Sequence, residues 1–219
     1  METPELSEYI ELMKTRPELF ANTGPIRIET NLNVIHSYSE KTGKKIGVMF
    51  HSSYNMLLVD LVEEQGLRFT YERLVPVTSC GAVVIVPIFN NDFILLQQYR
   101  HALRGEQIAF PRGYGEVGIS SADNVRKEIR EEIGSEVKTI TSLGKIVADS
   151  GLSGNAVSVY AAEITRPNMC CHSEGIRKIL VLPEYQLKQW IVERRISDGF
   201  TLAAYCLFHN QGPKQTDFR

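Results

Sequence analysis

Residues 110–135 read FPRGYGEVGISSADNVRKEIREEIGS. A glycine-dense turn with Pro111, Gly113, Gly115 and Gly118 runs into a segment carrying Glu128, Glu131 and Glu132 beside Lys127 and Arg130. The second half has the marks of a helix. Ser120 or Ser121 supplies an N-cap, Asp123 falls in the first turn, and Gly134 is a natural stop. At about 100° per residue, Ala122, Val125, Ile129 and Ile133 fall within about 80° of one another and form a buried face. Glu128 and Glu132 lie along the edge of that face, with Glu131 on its outer side.

The charges on this helix pair like with like at i and i+4: Glu128 with Glu132, Arg126 with Arg130. Such pairs repel by a few tenths of a kcal/mol, whereas Lys127 and Glu131 attract. Two readings follow, an ordinary solvated face or a cation site, since hard divalent ions take several carboxylate oxygens from one side. The preceding loop bears on the choice. Glycines let a backbone approach a ligand closely, and a strand-to-helix turn is a common phosphate site. Together, loop and helix suggest a diphosphate bridged by Mg²⁺.

Outward from this stretch, the chain has 219 residues, 43% hydrophobic and 23% charged, the balance of a soluble globular protein. A formal net charge of −2 supplies no global attraction to nucleic acid or anionic membrane. No apolar run reaches the roughly 18–20 residues of a membrane span. The acidic, amphipathic start METPELSEYIELMK is not expected to be a signal peptide. Four cysteines without a C-x-x-C pair suggest neither zinc nor disulfides, and a reducing cytoplasm is the expected location.

Residues 4–20 read as a helix ended or kinked by Pro17, GPIRIET and KIGVMF as short strands, and NMLLVDLVEEQGLRFTYERLVPV as a hairpin around EEQG. GAVVIVPIF is a continuous apolar strand, followed by the turn NND and the strand FILLQQYRHAL. VKTITSLGKIVAD and AVSVYAAEI are further strands; PEYQLKQWIVERRI and DGFTLAAYCLFHN are helices. The pattern predicts a mixed α/β (α+β) class with one core, residues 1–70 forming a small N-terminal subdomain and 71–219 the main domain.

The quoted stretch resembles the Nudix box, G-x5-E-x7-R-E-U-x-E-E-x-G-U with U aliphatic. The first glycine falls on Gly113 and the core on KEIREEIG, residues 127–134, where Glu128, Ile129, Glu131, Glu132 and Gly134 match. Three positions depart: Ile119 stands for the first Glu, Lys127 for the Arg and Ser135 for the last aliphatic residue. In that family the first Glu and the Arg are thought to brace the loop against the helix, and the last three glutamates hold metals. Both ends of the bracing pair have changed here, whereas the metal-type glutamates remain.

The resemblance covers about residues 70–208 and looks like the ADP-ribose pyrophosphatase branch, in YERLVPVTSCGAVVIVPI, ILLQQYRHAL, FPRG and EGIRKILVLPEYQLKQWIVERRISDGFTLAAYCL. A departure lies at ADSGLSGNA, where many members carry a proline. The resemblance implies a mixed sheet sandwiched between helices. It implies two or three Mg²⁺ (or Mn²⁺) ions on Glu128, Glu131 and Glu132, with the Arg112 backbone carbonyl as an extra ligand. It also implies a catalytic part for Glu131 and a base on the loop MCCHSEGIRK, Glu174 with His172 as the second choice. Arg100 in QQYR has the fork geometry to clamp a phosphate, against a surface ion pair. Gly113 lies where a backbone meets substrate, and Tyr71 or Phe69 would stack on a base or else fill core.

A pyrophosphate is a highly charged electrophile, so its hydrolysis needs charge neutralisation and an aligned, activated water. The expected function is therefore Mg-dependent hydrolysis of a nucleoside diphosphate derivative, ADP-ribose or a nucleotide sugar, releasing a nucleoside monophosphate. The alternative is a non-catalytic Nudix-like sensor of such nucleotides. The branch also implies a homodimer using strands in residues 45–75. No nucleic-acid partner and no membrane are expected, and no basic stripe is present.

Overall fold

The computed structural model describes residues 3–78, 81–168 and 175–210. They fall into two compact units: Met1–Val77 with Asp149–Asn155, and Thr78–Ala148 with Ala156–Arg219.

The first unit is a four-stranded antiparallel sheet with two helices. Helix α1 (Pro4–Thr15) starts where its sequence says it should: Thr3 accepts the Leu6 amide and Pro4 opens the first turn. Pro17 ends it and begins a 3₁₀ turn, Pro17–Phe20. Strand β1 (Arg27–Ile28) is followed by helix α2 (Leu32–Thr42), which the hydrophobic pattern had not suggested. Asn31 accepts the Asn33 amide at its start and Gly43 closes its end. Strands β2 (Gly47–His51), β3 (Asn55–Glu64) and β4 (Leu67–Pro76) follow. Strand β3 pairs with β4 along its whole length and with β2 and β1 along its other edge. The expected hairpin around EEQG is β3–β4.

One buried network organises this unit. Asp60, 1% exposed, accepts hydrogen bonds from the Tyr9 hydroxyl at 2.5 Å and from Arg73 Nε at 2.5 Å. The Arg73 guanidinium stands 5.6 Å from the Phe20 ring centre, and Phe20 meets Tyr9 edge-on at 5.0 Å. Burial, then the Asp60 charge, raises the Tyr9 hydroxyl far above its ordinary range. Residues 149–155 join this unit through the Tyr71 hydroxyl, which donates to the Gly151 carbonyl at 2.7 Å, and the Leu74 amide, which donates to Leu152 at 2.8 Å.

The second unit is a mixed sheet with helices on both faces, as the resemblance implied. Its strands are β5 (Val83–Phe89), β6 (Asp92–Arg100), β7 (Gly105–Ala109), β8 (Arg112–Gly113), β9 (Val137–Val147), β10 (Ala156–Ile164) and β11 (Ile176–Leu182). The order is β11-β6-β5-β10-β9, with β7 on β6 and β8 on β5. Pairings are antiparallel except β5 with β10, which run parallel.

The single core expected from sequence is instead three clusters, one in the first unit and two in the second. A sheet covered on both faces must fill each face separately. Val84, Val86, Phe93, Leu95 and Phe110 face helices α4 (Glu184–Val192) and α5 (Gly199–His209). Val83, Ile85, Ile94 and Leu96 face helix α3 (Ser121–Glu128) through Val125, Ile129 and Ile133. Each fully buried isoleucine there contributes about 1.5–3 kcal/mol.

Candidate active site

Helix α3 begins at the anticipated cap: Ser120 accepts the Asp123 amide at 3.1 Å. Its continuation departs from expectation. Residues Ile129–Ile133 form a π-helical turn, and the Ser135 amide reaches back to the Ile129 carbonyl at 3.4 Å. The faces expected from even helical spacing still hold there, with Ile129, Glu132 and Ile133 buried and Glu131 outside, although the π turn inserts an extra residue per turn. Such turns gather at functional sites. This one carries Glu131 and Glu132.

The three glutamates are not equivalent. Glu128 and Glu132 are buried, at 9% and 3% exposure, whereas the Glu131 side chain is 54% exposed and lies 3.5 Å from Lys127. Glu128 packs on the β8 backbone so closely that a Cβ at Gly113 would fall inside its carboxylate. Gly113 is thus fixed by a side chain's need for space. The like-charged Arg126 and Arg130 have gone to separate partners: Arg126 donates to the Ala122 carbonyl and Arg130 pairs with both oxygens of Glu136. The Glu136 bond raises the Arg130 pKa and lowers that of Glu136.

The glycine loop is tied to the helix at two points. Asn124, fully buried, donates from Nδ2 to the carbonyls of Gly81 at 2.7 Å and Tyr114 at 2.8 Å. Lys127 pairs with Glu116 as well as with Glu131. Neither Glu116 nor Asn124 is marked by the box pattern, in which Ile119 and Lys127 are the departures. An asparagine inside a helix, where it is a poor former, was the available signal for the second.

Arg112 splits in two. Its side chain donates to Asp198 at 3.2 Å and stands 5.1 Å from the Phe200 ring centre, on the α5 side of the sheet. Asp198 also caps α5 and accepts the Thr201 hydroxyl, which in turn accepts the Phe110 amide. The side chain therefore locks the strand before the loop onto α5. Arg100 ends β6 on the strand face of Ile94 and Leu96, the face packed on α3, with guanidinium Nε and Nη2 buried. Tyr71 lies in the first unit with its hydroxyl engaged by Gly151. Glu174 and His172 lie outside the described residues.

Hard divalent cations suit this donor type, and Glu128 and Glu132 supply two inward carboxylates one turn apart. Among the described residues no three His, Cys, Asp or Glu side chains gather into a metal-holding group, in keeping with the outward pairing of Glu131. Among them, too, no helix is long and apolar enough to cross a membrane.

A crystal structure of an ADP compounds hydrolase matches this fold with a TM-score of 0.66 at 21% identity, over 75% of this chain and 90% of that one. The ADP compounds hydrolase NudE of Escherichia coli (strain K12) is 29% identical over 109 residues, 50% of this chain and 58% of NudE. The match to NudE supports a Nudix, ADP-ribose pyrophosphatase-like family, and the structural match shows the expected sheet-between-helices fold. The methanol dehydrogenase activator of Bacillus methanolicus is 26% identical over 171 residues, 76% of this chain and 91% of the activator. No family model matches. The segment shared with NudE spans little more than half of NudE's length.

Proposed function

We propose that this Nudix protein hydrolyses the diphosphate linkage of a nucleoside diphosphate derivative, ADP-ribose or a nucleotide sugar, with Mg²⁺ or Mn²⁺. The observation that carries this reading is the pair of buried carboxylates, Glu128 and Glu132, on the helix following the glycine loop, one of them pressed against a bare Gly113. NudE's description as an ADP compounds hydrolase supports the substrate class.

In this reading Glu128, Glu131, Glu132 and the Arg112 carbonyl hold the cations. A divalent ion held by these residues would supply charge neutralisation at the phosphate oxygens and a more acidic water. Glu131 also takes a catalytic part, from the place its contact with Lys127 gives it. Arg100 clamps a phosphate, Gly113 lets the backbone approach the diphosphate, and Tyr71 positions the substrate's base or its surrounding loop. Glu174 accepts the proton of the attacking water. The working form is a cytoplasmic homodimer built on strands in residues 45–75.

The test incubates the protein and Glu132→Gln with Mg²⁺ and ADP-ribose, nucleotide sugars, diadenosine polyphosphates, NADH and nucleoside triphosphates. AMP released from ADP-ribose by the wild type and lost in the variant is the expected result. No turnover, with metal-independent thermal stabilisation by ADP-ribose, overturns it in favour of a nucleotide sensor. The outward pairing of Glu131 is the observation that favours that second reading.

A further inference from the structure

We infer that Glu116 is a positioning residue of this site: acting through Lys127, it ties the glycine loop to the glutamate helix and sets where Glu131 lies. The inference rests on the hydrolase reading, because it assigns Glu131 a part in the reaction. Lys127 Nζ joins two carboxylates from different elements, Glu116 on the loop and Glu131 on the π turn at 3.5 Å. One cation thus sets the spacing between loop and helix.

The loop geometry explains why an acid at 116 can do this. The Glu116 carbonyl accepts the Ile119 amide at 3.3 Å, and Gly118, third of the four residues, has φ +82°. A tight turn with positive φ at its third residue closes, bringing the Cα atoms of its first and fourth residues within about 7 Å. A carboxylate on residue 119 therefore starts from the same end of the turn as one on residue 116. Lysine tolerates either origin, since its ammonium is a point charge on a flexible stem, where an arginine fork demands one approach. Asn124 holds the loop at Tyr114 independently. Lys127 is the second tie, two residues further on.

The experiment compares amide hydrogen exchange over residues 113–120 in the wild type, Glu116→Gln, Lys127→Met and the double variant Glu116→Gln/Ile119→Glu, alongside kcat and KM for ADP-ribose. Both ends of the pair are part-exposed, so the fold survives and the effect is local. Exchange about three- to fivefold faster in Glu116→Gln and Lys127→Met, the scale of a part-exposed ion pair, is expected. Glu116→Gln should lower kcat severalfold with KM little changed, and Ile119→Glu should restore both exchange and kcat. Unchanged exchange in Glu116→Gln overturns the tie. Faster exchange that Ile119→Glu fails to reverse overturns the turn argument. If the wild type hydrolyses nothing, the hydrolase reading falls, and with it any catalytic role for Glu116, while the exchange data alone decide whether the tie exists.

Discussion

Two of the regions where the molecule buries carboxylates treat them oppositely. In the first unit Asp60 sits at the centre of packing, bonded by Tyr9 and Arg73, with Phe20 closing over the arginine. In the second, Glu128 and Glu132 are like charges one turn apart, and room for Glu128 comes from a missing side chain at Gly113. Asp60 is surrounded by groups that need it for stability. Glu128 owes its room to a backbone choice, a bare glycine, and Glu132 rides on a π turn. A carboxylate fixed by cations and aromatics is built to hold a fold together; one given space by glycine is, under the hydrolase proposal, placed to meet a cation.

Removing Asp60 should give the largest effect and fall on stability. Asp60→Ala leaves Arg73 and the Tyr9 hydroxyl without their acceptor, and breaking such a buried pair costs about 3–5 kcal/mol. Chemical denaturation should show a transition lowered by that amount. A loss below 1 kcal/mol would erase the contrast between the two regions. Glu132→Gln should act on rate: loss of one preorganised charged group typically costs about 10²–10³-fold. Its thermal midpoint should fall by less than that of Asp60→Ala; an equal fall would make Glu132 another Asp60.

Gly113→Ala tests the space itself. The new Cβ must displace the Glu128 carboxylate, so activity should fall with a stability loss of about 1–3 kcal/mol from overpacking. Full activity would mean Glu128's position is immaterial. The smallest effect is at Tyr9, whose raised pKa has a definite sign. An acid titrating higher in the fold than in the unfolded chain contributes stability that is complete below about pH 10 and lost as pH rises above it. Tyr9→Phe should cost about 1 kcal/mol at pH 8 and shrink the fall in stability between pH 9 and 11. An unchanged alkaline limb would show that the Tyr9 hydroxyl is not what titrates.

Much of this was legible in the sequence because each signal was local. Ser120, Gly134 and the 3.6-residue spacing announced α3; EEQG announced the β3–β4 hairpin; Pro17 announced the end of α1. Helix α2 was missed although Asn31 and Gly43 flank it, because its interior is rich in serine and β-branched residues that weaken a helical pattern. The Glu116–Lys127 tie was missed for another reason. The sequence shows an acid absent at 119, and only the closed turn shows that 116 stands beside it. The Arg112 side chain was undecidable from its neighbours, since its partner Asp198 lies 86 positions away.

The parallel pairing of β5 with β10 also governs how the molecule comes together over time. Ser158 stands opposite Val83, so everything between them, glycine loop and glutamate helix included, lies on one long excursion of the backbone. Joining such distant strands spends chain entropy before any contact is gained, and pairings of this kind slow folding. A nascent chain released before β10 emerges would carry every glutamate of the helix and yet lack the strand that completes the sheet beneath it.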